Sequence, residues 1–219
     1  MKTIEDITHA FYINLEKRTD RKKHVEQQLS SIGLKAERFN AIRMENGAVG
    51  CSMSHLKCLQ IADKNKWDHV CICEDDITFL NPALFKNQLQ SFFEKHEKWD
   101  VILFAGNNIP PYQPIDATCV KVEKCQTTTG YLVNGHYIKK LMENIKMGLN
   151  HLLRDPENHR IYAIDKFWFY LQKVDKWYLI IPLTVIQKEG YSDIEHKVTN
   201  YSKGMTSIDK EYLFSRQYI

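Results

Sequence analysis

The order of apolar runs predicts an α/β fold: a mostly parallel central sheet with helices on both faces. Three observations carry this reading. β-Branched and aromatic runs alternate with segments of helical spacing through the first 105 residues, the pattern of βαβ units. The runs "HAFYINL" (9–15), "HVCIC" (69–73) and "DVILFAG" (100–106) are apolar along their length, as strands covered on both faces are. No internal repeat, low-complexity block or linker divides the 219 residues, so one domain is expected.

Each element has a local reason. After the first strand, Thr19 or Asp20 is a suitable cap for a helix that Gly33 would stop. "KAERFNAI" (35–42) reads as a second short strand. "CSMSHLKCLQIADKNK" (51–66) carries Met53, Leu56, Leu59 and Ile61 at helical spacing. "WDHVCICEDD" (67–76) is then a strand ending in acid. Pro82 can open a helix bearing Leu84, Phe85, Leu89, Phe92 and Phe93. "NNIPPYQPIDAT" (107–118) holds three of the six prolines and reads as a loop. "CVKVEKC" and "TTGYLVN" look like short strands, followed by a helix over 135–149. "HLLRDPENHR" reads as a loop, "IDKFWFYLQ" as a short helix and "WYLIIPL" (177–183) as the last clear strand. The polar tail from Gln187 is expected to be a partly mobile surface segment.

Composition narrows the function classes. Hydrophobic residues make up 43% and charged residues 26%, ordinary for a globular protein. A net charge of +3 with dispersed basic residues argues against a nucleic-acid partner. No stretch resembles a signal peptide or a transmembrane segment, and the six cysteines are read as reduced thiols of a cytoplasmic protein. Their spacings match no common zinc pattern. Cys71 and Cys73 are expected on opposite faces of their strand. A P-loop enzyme is excluded because GxxxxGK[ST] is missing, and no GxGxxG follows the first strand, which disfavours a dinucleotide dehydrogenase.

The chemistry concentrates around "CICEDDITF". Glu74, Asp75 and Asp76 close a buried strand, although like charges repel and a strand end in the core is a costly place for them. Ligands of open α/β sheets bind beyond the carboxyl ends of the strands. There, carboxylates on a rigid element can hold Mn²⁺ or Mg²⁺, with substrate phosphates completing the shell. The plain alternative is a solvated turn. "INLEKRTDR" sends Arg18 and Arg21, three residues apart, toward the same edge, where guanidinium groups suit phosphate oxygens. "GAVGCSMSH" brings Gly47 and Gly50 ahead of Ser52, Ser54 and His55 near a helix start, a loop able to approach an anion with its backbone.

Six blocks in order, "FYINLEKRTDR", "GAVGCSMSHLKCLQIA", "VCICEDDITF", "TTGYLVNGHYIKKLM", "YAIDKFWF" and "VIQKEGYSDI", span about Ala10 to about Ile194. The chain resembles glycosyltransferase family 25, which includes lipooligosaccharide sugar transferases and collagen β-galactosyltransferases. The resemblance implies a glycosyltransferase A-type fold, with a Rossmann-like nucleotide half over about 1–106, an acceptor half over about 107–195 and a polar tail over 196–219. It implies a nucleotide-sugar donor, UDP-galactose or UDP-glucose, a divalent cation (Mn²⁺ or Mg²⁺) and inversion at the anomeric carbon. Glu74, Asp75 and Asp76 fall where the family carries its acidic motif. Asp76 is expected as direct metal ligand, Glu74 on metal or ribose, and Asp75 on the nucleotide sugar. Asn14, Arg18, Arg21, Ser54 and His55 match blocks of the nucleotide site, and Gln187, Ser192 and Asp193 match the last block. Asp165 matches an acidic position of the acceptor half and is the candidate general base, with a helix N-cap as the alternative role. Asp193 and His196 could complete the metal shell; a solvated tail is the alternative. Trp168 or Tyr170 could stack on a sugar, although such residues more often pack in a core. The acceptor would be a glycan or a hydroxylated protein, and a membrane carrying it would make the protein peripheral there. The chain is short and lysine-rich and lacks the extra domains of the animal collagen enzymes. Two further readings stay open: another metal-dependent nucleotide-processing enzyme, and a relative that binds UDP-sugar or sugar without turnover.

Overall fold

The computed structural model describes residues 1–192 and 197–210. Its strands are β1 (Ala10–Asn14), β2 (Glu37–Asn40), β3 (His69–Glu74), β4 (Ile77–Phe79), β5 (Val101–Leu103), β6 (Asn107–Asn108), β7 (Tyr112–Pro114), β8 (Cys119–Val122), β9 (Cys125–Gln126), β10 (Gly130–Asn134), β11 (Trp177–Ile180), β12 (Val185–Gln187), β13 (Gly190–Ser192) and β14 (Lys197–Thr199). Its α-helices are α1 (Thr19–Ile32), α2 (Gly47–Lys64), α3 (Pro82–Lys95), α4 (Ile138–Arg154), α5 (His159–Tyr162), α6 (Ile164–Phe167), α7 (Phe169–Val174) and α8 (Ser202–Met205).

The main sheet has the order β2-β1-β3-β10-β5-β11-β8-β7. β2, β1 and β3 run parallel, as do β5 and β11, while β10 lies antiparallel between β3 and β5. β8 is antiparallel to both β11 and β7. The expected sheet is therefore observed: mixed and mostly parallel.

Side-chain alternation divides the core in two. Ala10, Tyr12, Cys71, Cys73, Ile102 and Leu132 pack with Val25 and Leu29 of α1 and Phe85, Leu89 and Phe92 of α3. Phe11, Ile13, Val70, Ile72, Leu103 and Tyr131 pack with Leu56 and Leu59 of α2 and Leu141 and Ile145 of α4. A pleated strand sends neighbours to opposite faces, so one apolar run serves both layers. The same rule overturns the expectation for Cys71 and Cys73. Residues two apart share a face, and their sulfurs lie 3.9 Å apart.

Local expectations differ from the structure in five other places. α1 begins with Arg18 at the cap position, not Thr19 or Asp20, although Gly33 at φ 77° ends it as anticipated. The Gly47–Gly50 stretch is no loop: it forms the first turn of α2, because the Asn46 side chain accepts from the backbone N–H of Ala48 and Val49. Gly50 is required there, since a Cβ would lie 2.6 Å from the Ile42 carbonyl oxygen. The proline-rich stretch 107–118 carries β6 and β7, and α4 extends to Arg154, so the expected loop over 151–160 holds the end of α4, a 3-10 turn (Pro156–Asn158) and the start of α5. The polar tail also folds in part: β12 pairs with β4, β13 pairs with β14, and Met205 of α8 is fully buried. Among the described residues, no helix is long and apolar enough to cross a membrane.

Candidate active site

A cleft of about 680 Å³ opens beyond the carboxyl ends of β1 and β3. It is bounded by Arg18 and Arg21, the segment 41–45, the first turns of α2, the acidic triple, and residues 187, 188, 190–192 and 199. The topology explains its place. Parallel β1 and β3 end together, and the chain leaves each through a turn.

Arg21 is the positive partner of the acids. Its Nη1 donates to Asp75 Oδ1 at 3.0 Å and to Asp76 Oδ2 at 3.1 Å, and its Nη2 donates to the Tyr191 carbonyl at 3.1 Å. Asn14, buried behind the cleft, donates from Nδ2 to Asp75 Oδ2 at 2.8 Å and is itself held by Arg38 Nε on its Oδ1 at 3.1 Å. The β4–β12 ladder places Gln187, whose Nε2 donates to Asp76 Oδ2 at 3.0 Å. Among the described residues, the buried Asp76 Oδ1 has no hydrogen-bond partner.

Glu74 has a different surrounding. Its Oε1 accepts from Thr128 Oγ1 at 2.7 Å, His55 Nε2 at 3.3 Å and Cys51 Sγ at 3.6 Å. The other ring nitrogen of His55, Nδ1, lies 2.8 Å from the Tyr131 hydroxyl. These environments separate the three acids. Burial pushes the Asp76 carboxyl up to about 7, helped by the Glu74 charge and opposed by Arg21. Burial also raises Asp75, against Asn14 and Arg21. Burial works against the charged form of Glu74 too, but the His55 and Thr128 hydrogen bonds and the His55 charge hold its carboxyl below the ordinary value.

The remaining candidates fall in three groups. Arg18 and Ser192 line the cleft; Arg18 is bidentate to Asp20 at 3.0 and 3.1 Å. Ser54 also reaches the cleft, but its hydroxyl is committed: it donates to the Gly50 carbonyl at 2.7 Å and accepts from Ile42 N at 2.9 Å. Asp165 does not line the cleft. It lies in the first turn of α6, whose cap position is Ala163, so the N-cap role is not the one it fills. Its Oδ2 instead accepts from the backbone N–H of Thr127 at 3.1 Å. Thr127 stands at φ 78°, a strained conformation for a β-branched residue, immediately before the Thr128 that holds Glu74. Asp193 and His196 lie outside the described residues. Trp168 is buried in the core and donates to the Cys125 carbonyl, while Tyr170 is exposed, so neither reaches the cleft.

The comparisons with known proteins bear on this geometry. The model of glycosyltransferase family 25 (LPS biosynthesis protein) matches residues 42–167, more than half of the chain. The chain belongs to glycosyltransferase family 25. The matched stretch contains the acidic triple, α2, Thr128 and Asp165. A "Glycosyltransferase 25 family member" of Drosophila pseudoobscura pseudoobscura is 28% identical over 141 residues, 49% of this chain and only 22% of the relative's length. Among solved structures, a glycosyltransferase involved in glycosylation of the major capsid of PBCV-1 aligns with a TM-score of 0.48 and 13% identity, covering 86% of this chain and 95% of that one. A mannose-1-phosphate geranyltransferase from Thermus thermophilus gives 0.47 and 12%, covering 82% and 74%. Likenesses of that size carry no argument about activity.

For this family member, several residues that line the cleft or hold its acids from behind escape a reading of motifs. Cys51, Thr128 and Tyr131 sit inside recognised blocks, but their roles depend on α2 and β10 flanking β3. Arg43 and Lys188 line the cleft from irregular segments with no periodicity to mark them. Arg38 follows the β1–β2 register, which pairs Asn14 with Asn40 and Tyr12 with Arg38.

Proposed function

We propose that this protein is a metal-dependent inverting glycosyltransferase that moves galactose or glucose from a UDP-sugar to a hydroxyl of a glycan or hydroxylated protein. One observation supports it above the others: Asp76, which lines a cleft at the strand ends, carries a buried carboxylate oxygen, Oδ1, without a hydrogen-bond partner among the described residues. An oxygen donor set of this kind suits Mn²⁺ or Mg²⁺. Asp76 would hold the ion through Oδ1. Glu74, whose Oε1 is already taken by three donors, would offer Oε2 to the ion or to the ribose. When bound, the ion would supply charge neutralisation to the departing diphosphate.

The chain's own residues do the rest. Arg18 and Arg21 at the start of α1 face the cleft, where they stabilise negative charge that grows on the leaving oxygens. Asn14 and Gln187 fix the orientation of Asp75 and Asp76, so little reorganisation accompanies the reaction. The anomeric carbon becomes oxocarbenium-like, and inversion requires attack on the face opposite the leaving group by an acceptor hydroxyl losing its proton. Asp165 is the proposed base. Its Oδ2 is held by Thr127 N, which leaves Oδ1 for the acceptor proton. Asp193 and His196 are proposed to close over the donor. The decisive test is UDP release from a panel of UDP-sugars with and without Mn²⁺. Turnover that requires the ion in the native chain and vanishes in a folded Asp76→Ala variant is expected, and equal turnover in chelator refutes the reading.

A further inference from the structure

A second group of metal-ligating side chains lies away from the donor cleft. His96 follows the last turn of α3, Asp116 sits in the β7–β8 connection, and Cys119 begins β8. His96 Nε2 lies 2.9 Å from Asp116 Oδ2 and 3.7 Å from Cys119 Sγ, and the three donor atoms are mutually within 4.8 Å. With Zn–N about 2.0–2.1 Å and Zn–S about 2.3 Å, a tetrahedral ion separates its nitrogen and sulfur ligands by about 3.6 Å. The observed pair already has that spacing, and Asp116 Oδ2 needs to move from His96 by about half an ångström.

The surroundings hold each donor in place. The His96 ring packs in a three-ring cluster with Phe92, centroids 4.7 Å apart, and Tyr178, centroids 5.9 Å apart. Asp116 Oδ1 accepts from Thr118 N at 2.7 Å and Thr118 Oγ1 at 2.6 Å, which turns Oδ2 toward His96. Such outer hydrogen bonds are what orient ligands in metal sites. His96 also borders a cleft of about 740 Å³ that shares no lining residue with the donor cleft.

We propose that His96, Asp116 and Cys119 form a zinc site, with a fourth position open to water, that clips the end of α3 to the β7–β8 hairpin. Binding displaces the thiol proton of Cys119 to solvent, as thiolate ligation requires. Ligand spacing along the chain hides such a site, since folding brings His96 to Asp116 across 20 positions.

Metal-stripped protein titrated with Zn²⁺ against a chromophoric chelator, and separately with Co²⁺ for the thiolate-to-cobalt absorption band, tests this. Cys51, His55 and Glu74 in the donor cleft also have ligand spacing, so variants must separate the two groups. Cys119→Ser and His96→Gln are each expected to lose one zinc equivalent and to reduce the cobalt band, whereas Cys51→Ser retains the equivalent assigned to Cys119. Unchanged zinc stoichiometry and an undiminished band in Cys119→Ser overturn the proposal. Should that variant fail to fold by circular dichroism, unchanged stoichiometry in His96→Gln overturns it equally. These readouts do not involve sugar transfer and stand apart from the proposed function.

Discussion

Replacing Asp76 by Asn is expected to stabilise the metal-free protein while abolishing its response to a divalent cation. Burial and the Glu74 charge move the Asp76 carboxyl from 3.8 up to about 7, net of the relief that Arg21 provides. A group whose folded pKa is raised favours folding most below its unfolded value. That contribution is lost as the pH climbs from about 4 through about 7. At about 1.4 kcal/mol per unit, ionising Asp76 in the folded state costs at most roughly 4 kcal/mol at pH 8. Relaxation and water entry reduce this, so a gain of about 2 kcal/mol is expected for the neutral isostere, or about 4–8 °C in melting temperature for a chain of this size. Thermal melts in chelator at pH 6, 7 and 8 measure it, and the advantage of the variant should grow with pH. Mn²⁺ should then raise the melting temperature of the native chain and leave Asp76→Asn where it was, because a ligand stabilises only the form that binds it. An Asn variant that melts below the native chain at pH 8 in chelator refutes the electrostatic reasoning.

Arg21→Met removes the cation that two largely buried carboxylates share and is expected to cost about 2–4 kcal/mol, read as a lowered urea midpoint, together with weakened UDP binding by calorimetry. For Asp165, Asn can still accept the Thr127 N–H but cannot take a proton, so Asp165→Asn should fold and bind UDP yet lose transfer. Near-native transfer in Asp165→Asn, with loss only in Asp165→Ala, would show that the residue acts by holding Thr127. Gly50→Ala drives a Cβ to 2.6 Å from the Ile42 carbonyl and should destabilise by about 1–3 kcal/mol and weaken UDP binding; an unchanged melting temperature counts against the tight packing of α2 on residues 42–44.

What could be read from the chain alone follows from the range of the interactions involved. Strands β1, β3 and β5 were legible because each is apolar on both faces, and α1 and α3 because a glycine stop and an N1 proline mark them. The acidic triple was legible because it breaks the apolar rule at the end of β3. Arg21 was legible as a residue facing the ligand edge, but its partners were not, since they lie 54, 55 and 170 positions away. The tail misled for the same reason. Gln187, Lys188 and residues 190–192 line the polar cleft, although Lys188, Glu189 and Tyr191 are also exposed, and the β4–β12 pairing is what brings Gln187 there. The Gly47–Gly50 stretch misled in the opposite sense: two glycines suggested a loop, whereas the Asn46 cap and a close approach to Ile42 explain them within a helix.

The charge count in the cleft bears on why a divalent ion belongs to the proposed reaction. Three carboxylates, Glu74, Asp75 and Asp76, face one shared guanidinium, Arg21, while the Arg18 charge is already opposed by Asp20. The strand end itself therefore keeps close to two negative charges when all three acids are ionised, which repel a nucleotide diphosphate locally, while Arg43 and Lys188 elsewhere on the cleft wall, with Glu45 opposing them, attract it. Protonating Asp76 relieves one of the two negative charges, which is the direction in which its pKa moves. A divalent ion would relieve both, held through Asp76 Oδ1, the oxygen of that carboxylate which Arg21 and Gln187 leave untouched. Donor affinity should accordingly rise steeply with the ion at pH 8 and less at pH 6, where Asp76 is largely neutral and a poorer ligand. Donor binding that is equally tight in chelator at both pH values would show that the arginines alone overcome the repulsion.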